Sequence, residues 1–489
     1  MFKPVATFSI ENFGCRATDA DAAALRRSLL ASGLSLLSDH QHADFVILNS
    51  CTVTAAADSQ AREAVRKIHR ANPEARIIVT GCYAQRAPEE IASLDGVAWV
   101  VGNSHQTEIP ELLRDFRGKQ FAGSPGDASP TTTDFVALSA LNTDAMSLER
   151  GPAKILTGDI FAQTSVQAAP QGGVAGDRTR PILKIQDGCD NRCSYCVIPF
   201  VRGRSRSLAP DVVVEEVRKL VRAGAKEIVL SGINLGSYGR DFTPRTTLNE
   251  VVQRILDETA LEQLRFSSVE PQDVTEDFVG LVISSERIAR HFHIPLQSGS
   301  AKILKAMHRW YRPALYAERV NQIRHAIPDA AIGADVIVGF PGESDDDFRT
   351  TYEFIDVLPL TYLHVFSFSA RPGTKAAEFD APPVAATVIK DRARALRALS
   401  RRKATEFRAS QSGRRLRAIT LARGGTNWTE ALTSNYLKAR IPGRHPANRW
   451  YDAEIFADEG VIEEVQLAGG DLTLENNLGE GQISAVGDR

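Results

Sequence analysis

The sequence predicts an α/β protein in three units: an N-terminal parallel α/β domain, a central partial (β/α)6 barrel and a small C-terminal all-β barrel. Three observations predict it. Over residues 1–115 short β-rich runs alternate with helical patterns, and over 181–375 the alternation resumes with six apolar runs. After a basic helix-like stretch come four short strand-like pieces with turn residues between them.

The bounds agree with this division. A chain of 489 residues has room for roughly three domains. With 43% hydrophobic and 24% charged residues it is ordinary globular material, which excludes disordered, fibrous and membrane classes. No run approaches the roughly 20 apolar residues that cross a bilayer. The start, MFKPVATFSIENFGC, lacks the basic, apolar and small-residue succession of a signal peptide, so a cytoplasmic location without membrane attachment is expected. Net charge is only -2, so a nucleic-acid partner has to be met by a local basic patch.

In order along the chain, VATFSI (5–10) precedes a helix near 19–32, DFVILN (44–49) one near 56–71, and ARIIVT (75–80) one near 86–93. Cys51 and Cys82 follow their strands within two residues and Cys15 follows after five. Ligand sites of open parallel sheets gather at the carboxyl ends of strands, so these three thiols are expected to converge. Residues 116–177, rich in Gly, Ala, Ser, Thr and Pro, read as a linker or insertion with one short strand. Residues 178–405 hold the barrel, with strands PILKIQ, EIVLSG, LRFSSVEP, RHFHIPLQ, AAIGADVIVGF and YLHVFSFSA. The stretch 390–417 carries eleven Lys or Arg against Asp391 and Glu406, a pattern that an ordinary solvated helix face also produces. Residues 406–470 supply the strand-like LRAITLA, YLKARIP, WYDAEIFA and VIEEVQLA, and 471–489 read as a tail.

The chemistry concentrates in GCDNRCSYC (188–196), where Cys189, Cys193 and Cys196 form CxxxCxxC in a chain with six cysteines. Disulfides need an even number, and a skewed set of six does not make a secreted framework. Zinc wants a fourth ligand, and the nearest histidines, His291 and His293, stand about a hundred residues away on another strand. A 4Fe-4S cluster on three thiolates leaves one iron open to chelate a substrate or cofactor.

This spacing, at the end of ILKIQDGC and with aromatic Tyr195 before the last cysteine, resembles the radical S-adenosylmethionine (SAM) superfamily. The segments GCDNRCSYCVIPFVRGRSRS, HIPLQSGSAKILKAMHRWY, DVIVGFPGE and HVFSFSARPGT are similar to its methylthiotransferase branch. The resemblance implies a 4Fe-4S cluster on Cys189, Cys193 and Cys196 whose open iron binds SAM and cleaves it to a 5′-deoxyadenosyl radical. It also implies a second 4Fe-4S cluster on Cys15 in FGCR, Cys51 in NSCTVT and Cys82 in TGCYAQ, which carries the sulfur to be methylated and inserted. Two SAM molecules are then consumed per product. SAM contacts are expected at Tyr195, Gly232 in SGINLG, Gln297 in PLQSGS and Ile337 in DVIVGFPGE. Arg202, Arg204 and Arg206 in VRGRSRS are candidates for a phosphate or for the cofactor carboxylate.

NSCTVTAAADSQAREAVRK and TGCYAQ resemble the branch that acts on N6-threonylcarbamoyladenosine next to the anticodon of tRNA. The alternatives are N6-isopentenyladenosine and a ribosomal-protein aspartate, and outside catalysis an RNA-binding iron-sulfur sensor. TSNYLKARIPGR and the basic run before it resemble the RNA-binding TRAM module. Lys438, Arg440, Arg444 and Arg449, with Tyr436 and Trp450 nearby, offer phosphate contacts and stacking surfaces. The implied partners are a tRNA anticodon stem-loop and an electron donor such as flavodoxin or ferredoxin.

Overall fold

The computed structural model describes residues 6–114, 153–166, 170–171, 179–458 and 461–467. The N-terminal sheet is six-stranded and all parallel, β1 (Thr7–Phe13), β2 (Ser35–Leu36), β3 (Phe45–Ser50), β4 (Arg76–Gly81), β5 (Val97–Gly102) and β6 (Lys154–Leu156), in the order β2-β1-β3-β4-β5-β6. Central strands β3 and β4 are apolar runs buried on both faces, as a parallel sheet covered by helices requires. Helices α1 (Arg16–Ala31) and α2 (Ala55–Ala71) follow β1 and β3. The short strand expected between 116 and 177 is β6, which completes this sheet, so the N-terminal domain takes in part of that stretch. The remainder of 115–178 lies outside the described residues, apart from the positions stated above.

Strand β1 runs to Phe13, beyond the expected Ile10, because its ladder with β3 continues through Glu11, Asn12 and Phe13 although the apolar-polar alternation has stopped. Cys15 therefore stands two residues past its strand end, and Cys51 and Cys82 one residue past theirs. The expected helix near 86–93 forms as two short pieces, α3 (Cys82–Arg86) and α4 (Pro88–Ala92), since Pro88 cannot continue a helix but can start one.

The barrel strands are β8 (Ile182–Lys184), β11 (Glu227–Ser231), β12 (Gln263–Phe266), β13 (His291–His293), β14 (Ala331–Val338) and β15 (Tyr362–Ser367). They pair in parallel as β8-β11-β12 and β13-β14-β15, and bridges Leu264–Ile288 and Ser268–His293 join the two groups. The edge strand β7 (Pro170–Gln171) pairs antiparallel with β8. Between β8 and β11 lie β9 (Gln186–Asp187), α5 (Ile198–Arg202), β10 (Arg206–Ser207) and α6 (Pro210–Arg222). Outward residues such as Ile228, Leu264, Phe292, Ala334 and Val336 join one apolar core beneath the helices.

The basic stretch resolves into a helix, Ala386–Ala409, and the start of the next strand. Much of its charge is engaged by the barrel: Arg392 bonds Glu343 and Asp345, both at 2.7 Å, and Lys403 donates to the carbonyls of Asp356 and Leu358 at 2.8 Å. The C-terminal unit is a curled antiparallel sheet of β16 (Arg415–Gly424), β17 (Trp428–Thr433), β18 (Lys438–Pro442), β19 (Trp450–Asp458) and β20 (Val461–Leu467), in the order β18-β17-β16-β19-β20. Strand β17 escapes the sequence pattern because Thr429 and Thr433 are buried in it, which blurs the polar-apolar alternation. The tail, 471–489, lies outside the described residues.

Candidate cluster sites and the barrel interior

The three N-terminal cysteines stand at the carboxyl ends of adjacent strands β1, β3 and β4, and parallel register brings those ends level. The approach is close: a Cβ on Gly14 would lie 2.7 Å from Cys51 Cβ, so only glycine lets the Cys15 loop rest there. Cys15 precedes the first turn of α1 and is exposed, whereas Cys51 and Cys82 are buried. Cys15 is pulled down to about 5, chiefly by its hydrogen bond with Cys51, assisted by the Arg202 guanidinium and the amides opening α1. That same bond and burial push Cys51 up, and burial pushes Cys82 up. Cys82 also receives Asn103 Nδ2 at 3.5 Å.

The second triad is a local loop pinned from several sides. Cys189 N donates to Gly203 O at 3.1 Å, Ser194 N to Met307 O at 3.0 Å, and Ala376 N to Ser194 O at 2.8 Å. Arg309 Nη1 donates to Cys193 Sγ at 3.3 Å, and Asn234 Nδ2 stands 4.0 Å from Cys189 Sγ. Burial raises Cys189 to about 11 and Cys196 to about 12. The free Cys189 and Cys196 thiols keep their protons, and a metal centre has to displace them.

The donor sets fit iron-sulfur clusters better than single ions. Zn–S bonds of about 2.3 Å keep sulfurs on one zinc within roughly 4.6 Å of each other. Among the described residues, the one group of three His, Cys, Asp or Glu ligand atoms lying within 4.8 Å of one another is His293, Asp335 and His364. Neither cysteine triad is that tight. His291 and His293, the distant candidates for a zinc ligand, are engaged with Tyr362 and Asp335.

Each triad has one buried arginine held by buried or half-buried carboxylates. Arg309 pairs with Glu270, which follows β12. Arg202 bonds Asp21 Oδ2 at 2.7 Å and Asp187 Oδ1 at 3.0 Å. This corrects the expectation for two of the three arginines after the loop: Arg202 is committed to those carboxylates and Arg206 to the carbonyls of Arg202 and Arg204, while Arg204 is exposed. Only Arg204 remains open to a phosphate.

The same ion pairs join the domains. Asp21 of α1 also meets Lys184 of β8. Asp58 of α2 meets Arg371, which follows β15, and Arg86 at 2.8 Å. Both arginines also reach Thr52, the residue after Cys51, at 3.0 and 2.8 Å. Between these joints Cys82 packs directly on Val197 and Val201, which follow the CxxxCxxC loop. The N-terminal triad is thereby seated against the barrel end that carries the other one.

Of the expected SAM contacts, Tyr195 and Ile337 share one apolar cluster with Phe368 and Phe379. Gln297 accepts Ile337 N at 2.9 Å and sits at φ 65°, a left-handed conformation costly for a side-chain-bearing residue. Gly232 follows β11 on the other side, where a Cβ would lie 2.9 Å from Gln186 Oε1. Asn234, Glu270 and Arg309 were missed by sequence reasoning. Asn234 Oδ1 is buried with no protein partner beside the Cys189 loop, an acceptor suited to an ammonium group.

On the C-terminal sheet Lys438, Arg440, Arg444 and Arg449 are exposed. The stacking expectation is corrected for Tyr436, which turns inward and stacks on His291 of β13 at 4.1 Å between ring centres. The aromatic surfaces beneath cations are Trp428 under Arg440 at 4.7 Å and Trp450 under Arg417 at 4.3 Å.

Comparison with known proteins adds to this geometry. Residues 7–102 match the uncharacterized protein family UPF0004, and residues 183–355 match the radical SAM superfamily. The threonylcarbamoyladenosine tRNA methylthiotransferase MtaB of Aquifex aeolicus is 35% identical over 437 residues, 89% of this chain and 96% of the relative. The tRNA-2-methylthio-N(6)-dimethylallyladenosine synthase of Thermobifida fusca is 31% identical over 459 residues, 93% of this chain and 84% of the relative. In fold, the chain is similar to the radical SAM methyltransferase TsrM from Kitasatospora setae, solved with cobalamin and a [4Fe-4S] cluster, at a TM-score of 0.53 and 17% identity over 76% of this chain and 77% of that one.

Proposed function

Because the chain belongs to the radical SAM methylthiotransferase family, we propose that it converts N6-threonylcarbamoyladenosine beside the tRNA anticodon into its 2-methylthio derivative. The observation that carries this reading is the seating of one three-cysteine site against another across a joint closed by buried ion pairs. Cys189, Cys193 and Cys196 would hold the radical-generating 4Fe-4S cluster, and Cys15, Cys51 and Cys82 the auxiliary one. When bound, the clusters and SAM supply the electron, the methyl group, the hydrogen-abstracting radical and the sulfur.

The protein's own residues position and insulate. Arg309 beside Cys193, and Arg202 near Cys82 and Cys15, would each place a fixed positive charge next to cluster-holding thiolates, where burial makes it count most. Tyr195 and Ile337 offer an apolar wall for an adenine, Gln297 and Gly232 offer backbone at strand ends, and Asn234 offers its free carbonyl oxygen to the methionyl amine. The apolar packing around Tyr195 keeps water from the reacting centre.

By this reading 1–115 serve the auxiliary cluster, 178–405 the radical chemistry, and 406–470 act as a TRAM-like RNA-binding module. Lys438, Arg440, Arg444 and Arg449 would contact backbone phosphates, with Trp428 and Trp450 as stacking surfaces. Flavodoxin or ferredoxin is the proposed electron donor. No helix among the described residues is long and apolar enough to cross a membrane; a cytoplasmic location is part of the proposal and follows from the proposed tRNA substrate.

The test is anaerobic reconstitution with threonylcarbamoylated tRNA, reductant and SAM. Mass spectrometry of the nucleosides should show the 2-methylthio product. Replacing Cys15, Cys51 and Cys82 together by alanine should reduce iron from about eight to about four atoms per chain while SAM cleavage persists. Product formed only on isopentenyladenosine would overturn the substrate, and failure to cleave SAM would overturn the enzyme reading.

A further inference from the structure

The barrel interior holds an array that no step above uses. On β13, β14 and β15, alternate residues Phe292, Ile332, Ala334, Val336, Leu363 and Val365 pack beneath the helices. The intervening His291, His293, Gly333, Asp335, Tyr362 and His364 therefore face the lumen. They form one continuous network. Tyr362 OH meets His291 Nε2 at 2.8 Å and His293 Nδ1 at 3.2 Å, while Asp335 Oδ1 meets His293 Nε2 at 3.0 Å and His364 Nδ1 at 3.2 Å. Gly333 makes this possible, because a Cβ there would collide with the Tyr362 ring.

Exposure rises along the network. His291 and His293 are 1% and 7% exposed, and the Asp335 and His364 side chains 22% and 52%. It is closed below by Tyr436 stacked on His291 and open above at His364. Above it is the cluster loop: Val269 N donates to His293 O at 3.0 Å, and the next residue, Glu270, pairs with the Arg309 that touches Cys193. Asp335 is held well below the usual carboxylate range: burial raises it, but hydrogen bonds from His293 and His364 more than offset that. A fixed carboxylate with two imidazoles thus lines the lumen close to where the radical would form.

We propose that His293, Asp335 and His364 read the threonylcarbamoyl group of the substrate base, an inference that rests on the substrate reading above. His364 Nε2 donates to the threonine carboxylate, and Asp335 Oδ2, the oxygen not taken by the imidazoles, accepts from the threonine hydroxyl. His364 Nδ1 already faces Asp335 Oδ1, so Nε2 is the ring nitrogen left for the substrate. His293, anchored through Tyr362, fixes the orientation of Asp335 as a positioning residue. An isopentenyl group has no polar atom. Filling the lumen with it would strip water from Asp335 and return no hydrogen bond, which is the arrangement that gives strong rejection.

The test compares kcat/KM for methylthiolation of three anticodon stem-loops: threonylcarbamoylated, the same with its carboxylate converted to carboxamide, and isopentenylated. The wild-type enzyme is expected to prefer carboxylate over carboxamide by roughly 100-fold. In His364→Phe that ratio should fall toward one through loss on the carboxylate substrate, and His364→Asn should recover part of it. Asp335→Asn should instead weaken discrimination against the isopentenyl stem-loop. Equal use of carboxylate and carboxamide by the wild type, a comparison that needs no variant to fold, would overturn the inference, as would an unchanged ratio in His364→Phe. A wild type active only on the isopentenyl stem-loop would remove the substrate reading itself.

Discussion

At the scale of single residues, the reactive side chains of this protein are held by buried charges whose partners come from far along the chain. Glu227 is fully buried, and its burial cost is more than offset by Arg265 at 2.7 Å and Arg180 at 3.3 Å, which leave its pKa lowered. Removing one member of such a pair strands the other. Glu227→Gln is expected to cost about 3–5 kcal/mol, read as a lowered midpoint in urea. Tyr436, in a left-handed conformation at φ 70° while stacked on His291 and under Arg265, separates strain from stacking. Tyr436→Ala should lose more stability than Tyr436→Gly, because only glycine adopts that conformation freely. The cysteines were legible as candidate ligands because few other residue types ligate iron-sulfur clusters. Arg309 and Arg202 were not recognisable as their companions, since an arginine's meaning depends on a carboxylate that only folding brings near.

At the scale of elements, Asp347 closes a capping box at the start of the helix Asp345–Val357 and also receives Lys302 at 2.6 Å and Ser300 Oγ at 2.8 Å. Burial raises its pKa, but these partners outweigh burial and bring it down to about 2. A lowered carboxylate contributes stability that is fully present above its unfolded pKa, near 4, and lost as pH falls toward 2. Acid titration of unfolding should lose about 2 kcal/mol over that window in the wild type relative to Asp347→Asn. The six barrel strands were all legible, because β-branched and aromatic runs between helical segments have few other readings. Strand β17 was not, since its buried threonines look polar in sequence and are satisfied only by turns and neighbouring strands, as Thr433 is by Asn435 at 2.6 Å.

At the scale of the whole molecule, two carboxylates on the N-terminal helices, Asp21 and Asp58, lock that domain to the barrel through Lys184, Arg202 and Arg371. Asp21→Asn with Asp58→Asn should split one cooperative melting transition into two and expose the joint to limited proteolysis. Parallel strand ends made the convergence of the first three cysteines foreseeable, but sequence could not show that salt bridges clamp the domains, because both halves of each bridge look like surface residues. The two triads also differ in how early they come into being. Cys189, Cys193 and Cys196 are neighbours along the backbone, so their closeness needs no strand pairing. Cys15, Cys51 and Cys82 become a site only after three parallel strands have paired. On a growing polypeptide the first-made cysteines thus depend on paired strands, and their domain emerges with Asp21 awaiting Lys184 and Arg202 and with Asp58, already met by Arg86, awaiting Arg371. Enclosure of the site formed by Cys15, Cys51 and Cys82 is therefore tied to completion of the barrel, and a product truncated before it would leave that site open to solvent.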